Sequence, residues 1–586
     1  MRMIKTEKNR KVYLILFMIL MLQVIAAFCF CEKKTGFHYD EYYSYYSSNV
    51  TYGLVPTDRE WKPQAEIVSE FVVDEGERFT FSTVARMQSY DVHPPFYYIL
   101  LHAVCSLTPG IFTKWSALAL NMALFAGSWI LLAALTYQLT VMSLDAIQNR
   151  NGTNETAAAE KAGCCAAAGR TGNVAALGGS QRRTAFLTTA LVCLLYGFCP
   201  AVLSGVMMAR MYTLLGFLVL AVTYVHVLAL KKRRRCRKFY AVTMLCVYLG
   251  FLTHYYYAVY MFFLAAAMEF YLLFEKAEQK IWKQKWKDCI LYGIAVIGAL
   301  AAAVITYPAC LGHIFRGYRG TEAMGEFFNV GNTVGRIRFF AGLLNEYVFG
   351  GMLPVLLLVI LLLALTAWTA GRMRRQGAPA PYWAERHRAL WIVGTAVAGY
   401  FFVVTKTALL NAEEANRYPL PVYGMILMFA VIGAVLLLEK CFPRLEMKWK
   451  AALAAALSAI VLAGQIGGLL GGKVLFLYEE DEENIAFARE NHDASVVHLY
   501  NGVLTWMIWD ESLELMQYDE IYFVNKADLS PIADEKLAAS DRVLVYAARG
   551  DDQQEALAVV QEAVGEGAEV KLLRELLYCD LYEVTK

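Results

Sequence analysis

The chain has 586 residues, of which 58% are hydrophobic and 18% are charged. This composition excludes a soluble protein, because a soluble surface would need many more polar side chains. The net charge of +2 comes from basic clusters in separate loops, not from one basic face, which argues against nucleic-acid binding. The 13 cysteines are scattered and lack the spacing of a zinc site, so no metal ligands are predicted.

Apolar runs of about 20 residues, the length that a helix needs to cross a membrane, recur between Val12 and Leu470. They predict a polytopic α-helical membrane protein with about 11 to 13 spans. The first run, 12–31, is too long for a secretory signal and no A-x-A cleavage site follows it, so it is predicted to be a retained span with a cytoplasmic N-terminus. The further spans are predicted at 112–138, 184–203, 211–230, 239–253, 256–274, 289–309, 349–370, 389–408, 418–437 and 451–470.

Clusters of Lys and Arg determine the predicted sidedness, because basic loops stay in the cytoplasm. These clusters alternate with the spans and occupy 231–238, 276–287, 372–388 and 440–450. The transmembrane domain, 1–470, is therefore predicted to lie in the plasma membrane with its first loop, 32–94, on the outer side. The run 95–107 is too short to cross and predicts a half-buried interfacial helix. The Ala/Gly-rich segment 139–183 is predicted to be a cytoplasmic insertion.

The tail, 471–586, changes to a charged composition in which β-like and helical stretches alternate. This alternation predicts a small extracytoplasmic α/β domain with a largely parallel sheet. Its predicted strands are 474–477, 496–500, 521–524, 542–547 and 570–573, and its predicted helices include 482–490 and 553–564. The tail has no Gly-rich phosphate loop, so no catalysis is assigned to it.

The first loop contains the adjacent acids Asp40 and Glu41 in the stretch HYDEYYSYYSS. Two carboxylates at a membrane surface can gain proton affinity from partial burial and from each other, which suits them to act as a general base. An ordinary solvated acidic pair is the alternative, since such pairs are common.

Later in the same loop, Asp91 and His93 precede Pro94 and Pro95. The prolines restrict the backbone and start a helix, so both polar side chains are predicted to lie at a helix N-terminus, where anionic ligands bind favourably. The alternative is that the prolines simply begin an interfacial helix whose tyrosines sit among lipid headgroups.

Taken together, these motifs resemble those of the GT-C glycosyltransferases. A DE pair after the first span and a D-x-H-P-P-F-Y-Y element are similar to the pattern in bacterial relatives of the protein O-mannosyltransferases and the aminoarabinose lipid A transferases. The resemblance continues downstream and in order, through Ala209-Arg210-Met211-Tyr212, Thr253-His254-Tyr255 and Arg417-Tyr418. The last element departs from the family pattern by an extra proline, Pro419.

The resemblance implies transfer of a sugar from a polyprenyl-phosphate donor to an extracytoplasmic protein, polysaccharide or lipid, with inversion at the sugar. Asp40 would be the general base, and Glu41 and Asp91 would orient acceptor and sugar. Arg210, His254 and Arg417, at predicted outer span ends, would stabilise the departing phosphate. The other implied substrate-binding residues are His93, Tyr212, Tyr255 and Tyr418. The resemblance requires no cofactor and leaves a divalent metal possible.

Several alternatives stay open on the sequence alone. Arg210 and Arg417 could snorkel at helix ends, and His254 could belong to an aromatic belt. A secondary transporter or lipid-linked sugar flippase would also have many spans, although such proteins usually place charges at mid-membrane and show two similar halves. A membrane anchor for the tail would need only one span. The loop 310–348 contains glycines compatible with motion, and no mechanism is assigned to its His313, Arg316, Arg319 and Glu346.

Overall fold

The computed structural model describes residues 7–51, 53–161, 179–232, 235–275, 282–373, 387–442 and 444–586. Within these ranges, 8 helices are long and apolar enough to cross a membrane, or up to 10 if each of two bent helix pairs forms one span. The protein is therefore a multi-pass helical membrane protein. Apolar side chains such as Ile25, Ile297 and Leu453 are exposed on the outside of the bundle, as lipid-facing residues are.

The first 470 residues contribute the long helices of this bundle and several shorter helices. In chain order they are α1 (Glu7–Lys33), α2 (Tyr39–Ser48), α3 (Gln64–Ser69), α4 (Phe81–Gln88), α5 (Phe96–Cys105), α6 (Trp115–Lys161), α7 (Gly179–Gly197), α8 (Pro200–Met207), α9 (Tyr212–Lys232), α10 (Arg237–Phe251), α11 (Tyr256–Phe274), α12 (Trp282–Thr306), α13 (Ala309–Phe315), α14 (Tyr318–Phe328), α15 (Thr333–Leu343), α16 (Leu353–Met373), α17 (Arg388–Thr407), α18 (Leu420–Cys441) and α19 (Met447–Leu470). A 3₁₀ helix, Ala412–Arg417, joins α17 to α18.

The predicted count of about 11 to 13 spans is too high for the described residues. Helix α10 has 15 residues, so at about 1.5 Å per residue it falls short of a hydrocarbon core about 30 Å thick. The predicted span 184–203 is bent by 54° between α7 and α8, and the chain bends by 96° between Val348 and the start of α16. Helix α5 has only 10 residues, which agrees with the predicted half-buried helix at 95–107.

Two predicted loops contain more helix than the sequence suggested. Helix α6 continues through the start of the predicted insertion 139–183 as far as Lys161, and α7 begins at Gly179. Residues 162–178, like 276–281 and 374–386 in the basic loops, lie outside the described residues. The predicted mobile loop 310–348 forms the short helices α13, α14 and α15. The Lys406 ammonium on α17 holds this region by donating to Asn329 O at 2.7 Å and to Thr333 Oγ1 at 3.0 Å.

The tail and one strand of the first loop form an α/β domain with a six-stranded mixed sheet of order β1-β3-β2-β4-β6-β5. Its strands are β1 (Glu60–Pro63), β2 (Ser495–Tyr500), β3 (Glu520–Asn525), β4 (Arg542–Ala548), β5 (Glu569–Glu575) and β6 (Cys579–Thr585). Its helices are α20 (Asp481–Glu490), α21 (Ser512–Leu515), α22 (Glu535–Ala539) and α23 (Gln553–Val564). Only β3, β2 and β4 pair in parallel, whereas β1, β6 and β5 add antiparallel edges, so the predicted largely parallel sheet is corrected to a mixed one.

Four of the five predicted strands of the tail are confirmed, as are its helices 482–490 and 553–564. The exception is 474–477, which has no strand pairing and contains a bend at Phe476, whose φ is 67°. Strand β6 was not predicted, and β1 comes from the first loop. The first loop and the tail therefore share one sheet.

The α/β domain also packs against α2 of the first loop. Trp509 lies against the rings of Tyr43 and Tyr46, with centroids 5.0 Å and 4.8 Å apart, and its indole N–H donates to Leu54 O at 3.1 Å. In this contact Tyr46 is buried and Tyr43 is half-buried. The position of α2 consequently depends on the docking of the tail.

Glu514 makes this domain sensitive to alkaline pH. Its carboxyl is buried and accepts a hydrogen bond from Tyr546 at 3.0 Å. Burial, and then the nearby Glu511 carboxylate, raise the pKa of Glu514 from 4.5 to about 8. The folded state therefore binds a proton that the unfolded state releases, so this contribution to stability is complete below pH 4.5 and is lost as the pH rises through about 8.

We therefore expect the melting temperature of the wild type to fall between about pH 6 and pH 9. The melting temperature of the Glu514→Gln variant should fall by at least about 3 °C less over that range. Glu566→Gln, which alters an exposed carboxylate in the same domain, is the matched control and should follow the wild type. Melting temperatures measured in detergent check this expectation. Parallel curves for wild type and Glu514→Gln would contradict it.

Candidate functional site

Asp40 lies in the first turn of α2, and the local sequence explains how this turn is held. His38 is the N-cap residue, and its Nδ1 accepts from the Asp40 backbone N–H at 3.1 Å. Glu41 completes a capping box by accepting from the His38 backbone N–H at 2.9 Å. The Asp40 carboxylate is thereby placed at a helix N-terminus, where the helix dipole favours a negative charge.

Two arginines from distant parts of the chain converge on Asp40. Arg417 Nη1 donates to Asp40 Oδ2 at 3.1 Å, and Arg210 Nη2 lies 3.5 Å from Asp40 Oδ1. Arg210 also donates to the Tyr98 hydroxyl at 2.8 Å. Both guanidinium groups are buried, at 3% and 5% exposure for Arg210 and Arg417, and the Nε atom of each has no hydrogen-bond partner.

Breaks between helices place these arginines. Arg210 lies in the turn between α8 and α9, where Asn121 caps the end of α8 by donating to Met208 O at 2.6 Å. Arg417 ends the 3₁₀ helix before α18, and Pro419 then stops that helix and begins the next. The extra proline of the sequence motif thus accompanies an arginine that does reach Asp40.

The arginines determine the protonation state of Asp40. Burial alone would raise its pKa, but the positive charges of Arg210 and Arg417 outweigh burial and hold the pKa of Asp40 below its ordinary value. Asp40 is consequently ionised and a weak base in this state. Any anion that drew the arginines away would raise its basicity.

Asp91 and His93 lie beside this cluster. His93 Nδ1 is 3.0 Å from Asp91 Oδ2 and 3.5 Å from Arg210 Nη2. Burial would raise the pKa of Asp91, but His93 and Arg210 lower it. The His254 ring lies 6.1 Å from that of His93, and burial, with the charges of His93 and Arg210, lowers the pKa of His254 and keeps it neutral.

Aromatic rings line the same region. Tyr212 lies 5.7 Å from the His254 ring and 5.8 Å from the Tyr418 ring, with which it makes an edge contact. Arg417 lies over Tyr418, 5.2 Å from the ring centroid. Aromatic surfaces beside charged groups suit a ligand that has both apolar sugar faces and a phosphate.

Two of the predicted site residues make other contacts. Both oxygens of Glu41 are engaged, because Oε1 accepts from the Ala209 backbone N–H at 2.7 Å and Oε2 contacts the Lys34 ammonium at 3.0 Å. Glu41 is fully buried and fastens α2 to the turn before Arg210. The Tyr255 hydroxyl bonds to His313 Nδ1 at 2.8 Å, toward α13 instead of toward Asp40.

The structure adds residues that the sequence reasoning did not single out. His38 Nε2 lies 3.3 Å from Oε2 of Glu414, and the fully buried Lys34 donates to Phe476 O at 2.7 Å as well as to Glu41. His38 was recognisable, since it stands two residues before Asp40 within the same motif. Glu414 carried no such signal, because it lies 374 positions beyond Asp40 in an otherwise ordinary acidic loop.

A cavity of about 610 Å³ opens beside Glu414. It lies between the loop that follows α17 and the extended segment that follows α19. Its lining comprises Asn411, Ala412, Glu413, Glu414, Gly472, Val474, Leu475, Phe476, Leu477, Tyr478, Glu479 and Glu480. Asp40 does not line this cavity. His38 and Glu414 lie between Asp40 and the cavity.

Among the described residues, no group of three or more His, Cys, Asp or Glu side chains is arranged to hold a metal ion. The charged groups at the centre of the site are instead the two arginines and Asp40.

No protein-family model matches the sequence, and no curated protein matches it. Among solved structures, the fold is similar to that of the ArnT protein of Cupriavidus metallidurans in the apo state, with 12% identity, 92% of this chain and 95% of that chain covered, and a TM-score of 0.38. It is also similar to the oligosaccharyltransferase AglB of Archaeoglobus fulgidus, crystallised with an inhibitory peptide and a dolichol-phosphate, at 11% identity, 90% and 69% coverage and a TM-score of 0.38.

A second structure of the A. fulgidus enzyme, tethered to an acceptor peptide, matches at 11% identity, 95% and 69% coverage and a TM-score of 0.38. All of these similarities are at low sequence identity and at TM-scores below 0.5. At these TM-scores no residue role or substrate is transferred from those proteins.

Proposed function

We propose that the protein is a membrane glycosyltransferase that moves a sugar from a polyprenyl-phosphate donor to an acceptor hydroxyl or amine on the outer side of the plasma membrane. The observation that carries this proposal is the pair of buried guanidinium groups at Asp40, each with an unpaired Nε donor. Buried donors without partners are costly, so a bound phosphate that accepts from them is the natural complement.

In the proposed reaction, the acceptor oxygen or nitrogen attacks the anomeric carbon of the donor sugar. The bond from that carbon to the phosphate oxygen breaks, and the polyprenyl phosphate leaves with the bonding electrons. Arg210 and Arg417 hold the leaving phosphate, where negative charge grows. A single displacement of this kind inverts the anomeric configuration.

Asp40 takes the proton of the acceptor in the same step. Because the phosphate competes with Asp40 for Arg210 and Arg417, donor binding weakens the interactions that lower the pKa of Asp40. The carboxylate thus becomes a stronger base only when the donor is present. This coupling limits wasteful activation of water in the empty site.

The remaining candidate residues have supporting roles in this proposal. Asp91 and His93, together with neutral His254, orient the donor, and Tyr212 and Tyr418 supply aromatic surface to the sugar. Glu41 is a positioning residue, since both its oxygens are engaged by protein donors. The proposal names no residues that contact the acceptor, whether it is a protein, a polysaccharide or a lipid.

The test of this function is transfer of labelled sugar from a panel of polyprenyl-phosphate sugars to an envelope extract by the purified protein in vesicles. We expect transfer from at least one donor. Arg417→Met should lower kcat/KM about 10²- to 10³-fold, and Arg417→Lys less, because lysine keeps the charge but loses the planar pair of donors.

The matched control is Arg86→Met, which removes an exposed arginine of the first loop and should leave the rate unchanged. Absence of transfer with every donor, or equal rates for wild type and Arg417→Met, would overturn the proposed function. Movement of intact lipid-linked sugar between leaflets without transfer would identify a flippase instead.

A further inference from the structure

Helices α14 and α15 present large apolar side chains on the outside of the protein. On α14, Met324, Phe327 and Phe328 are spaced as i, i+3 and i+4, so they share one side of the helix. Their exposed fractions are 56%, 37% and 70%. Val330, just before α15, and Val334, within it, are 84% and 78% exposed. Surfaces in contact with water rarely expose apolar patches of this kind.

The opposite side of α14 is polar and contacts the rest of the protein. Arg319, Glu322 and Glu326 share this side through their helical spacing. Glu326 accepts from the Arg336 guanidinium of α15 at 2.9 Å, and the buried Arg336 also donates to Ala408 O at 2.7 Å, at the end of α17. A helix on a water-soluble surface buries its apolar side and exposes its polar side, so α14 has the reverse arrangement.

Helix α15 is apolar on two sides. Its inner side buries Phe340 and Leu343 beside Arg336, whereas Val334 and Ile337 are exposed on its outer side. A helix that is apolar on both sides lies either in a protein core or in lipid. Since α15 is at the surface of the protein, the environment that suits its outer side is lipid.

The neighbouring helices place α14 and α15 at the membrane. The exposed apolar side chains of α12, among them Ile297 and Ile305, are followed directly by the exposed Phe315 of α13. The segment Val330–Val348, which contains α15, meets α16 at an angle of 96°. Helix α16 has 21 residues, enough to cross the membrane, and packs against the membrane helix α18. The segment Val330–Val348 therefore lies close to the plane of the membrane.

We propose that α14 and α15 lie in the phospholipid bilayer, with their exposed apolar sides inserted below the headgroups of the leaflet nearest the candidate site. Arg338 is exposed and lies one turn after Val334, at the edge of the inserted stripe, where its guanidinium can hold a lipid phosphate. The segment predicted as a mobile external loop is thus part of the membrane-bound surface. This inference goes beyond the proposed function and does not depend on it.

Insertion of these two helices ties the candidate site to the membrane surface. Arg336 and Lys406 hold them to the end of α17, and the chain continues from there through the 3₁₀ helix that ends at Arg417. The Tyr255 hydroxyl likewise bonds to His313 of α13. The inserted helices therefore hold the bilayer close to Arg417.

Photo-crosslinking tests which molecule covers α14. The photoreactive amino acid p-benzoylphenylalanine replaces Phe328 in the full-length protein, which is reconstituted into vesicles of phosphatidylethanolamine and phosphatidylglycerol and then irradiated. Mass spectrometry of the intact protein measures the fraction that carries a phospholipid adduct. We expect this fraction to match, within about twofold, the fraction found when the same amino acid replaces Ile297, which faces lipid on α12.

The matched control is the same replacement of Glu322, on the opposite side of α14. Its adduct yield should be at least about tenfold lower than that of position 328, because an interfacial helix inserts only its apolar side. Replacement of Leu529, an exposed apolar residue of the tail domain, should also give at least about tenfold less adduct. Replacement of Val334 repeats the measurement on α15, so the result does not depend on the folding of one variant.

Equal adduct yields at positions 322 and 328, or yields at positions 328 and 334 as low as at position 529, would overturn the proposal. Crosslinks from position 328 to a second copy of the chain would overturn it as well, since a protein partner would then cover α14. Sugar transfer plays no part in the measurement, so failure of the proposed function would leave this inference intact.

Discussion

Asp40→Asn is expected to lower the kcat of sugar transfer about 10²- to 10⁴-fold, the range typical of removing a general base. Asparagine has the same shape as aspartate and still accepts from the arginines, but it cannot take the proton of the acceptor. The loss should therefore appear in kcat at every donor concentration. Initial rates with the donor identified in the panel measure it.

The same variant should bind the donor at least as tightly as the wild type. Arg210 and Arg417 each contact the Asp40 carboxylate, and a phosphate must displace those contacts before it can bind. Without the negative charge, the arginines are free to hold the phosphate. Binding of a labelled polyprenyl phosphate to vesicles measures this second effect.

Asp74→Asn is the matched control, because Asp74 lies in the same loop, is exposed and makes no side-chain cap. It should leave both the rate and donor binding unchanged. If Asp40→Asn retained wild-type kcat, Asp40 would not be the base. If it lost donor binding, the competition between Asp40 and phosphate would be refuted.

Lys34→Met is expected to cause the largest loss of stability, about 3 to 5 kcal/mol in the free energy of unfolding. The Lys34 ammonium is fully buried and contacts Glu41 Oε2 at 3.0 Å and Phe476 O at 2.7 Å. Removing it leaves the carboxylate of Glu41 buried without its counter-ion. The first span, α2 and the tail would all lose a shared contact.

The double variant Lys34→Met/Glu41→Gln should recover part of this loss, since the buried site then contains no unpaired charge. Lys33→Met is the control, because the Lys33 side chain is 59% exposed and its loss should change stability by less than about 0.5 kcal/mol. Thermal melts followed by size-exclusion chromatography in detergent compare the variants. Equal melting temperatures for Lys34→Met and Lys33→Met would contradict the expectation.

The hydrophobic pattern of the sequence was sufficient to predict helices and strands whose formation depends on neighbouring residues. The apolar runs predicted most of the membrane helices, and alternation in the tail predicted β2, β3, β4 and β5, because burial of apolar faces imposes those periods on the sequence. The pattern overestimated the span count, since hydrophobicity does not distinguish a short helix such as α10 from one that crosses the bilayer. It could not reveal β1, whose pairing depends on β3, a strand some 460 residues away.

The motifs predicted which residues should matter but not how they contact one another. The order of the motifs predicted that Asp40, Arg210 and Arg417 lie at the same end of the bundle. In the structure both arginines contact Asp40. The contacts of Glu41 and Tyr255 could not be predicted from the sequence, because a carboxylate or hydroxyl in a motif does not indicate whether its partners are protein atoms or a ligand. Here those partners are Lys34 and His313.

By itself, the sequence determined that this protein is a multi-pass helical membrane protein with an α/β tail and a cluster of polar motifs at span ends. Those features follow from composition and periodicity, which each segment expresses without its neighbours. The tertiary structure alone decided that both arginines reach Asp40, that Glu41 is engaged by Lys34, and that His38 leads to Glu414 and the cavity. These contacts join residues up to 377 positions apart, and such proximity is set by packing of the whole bundle, not by any local preference.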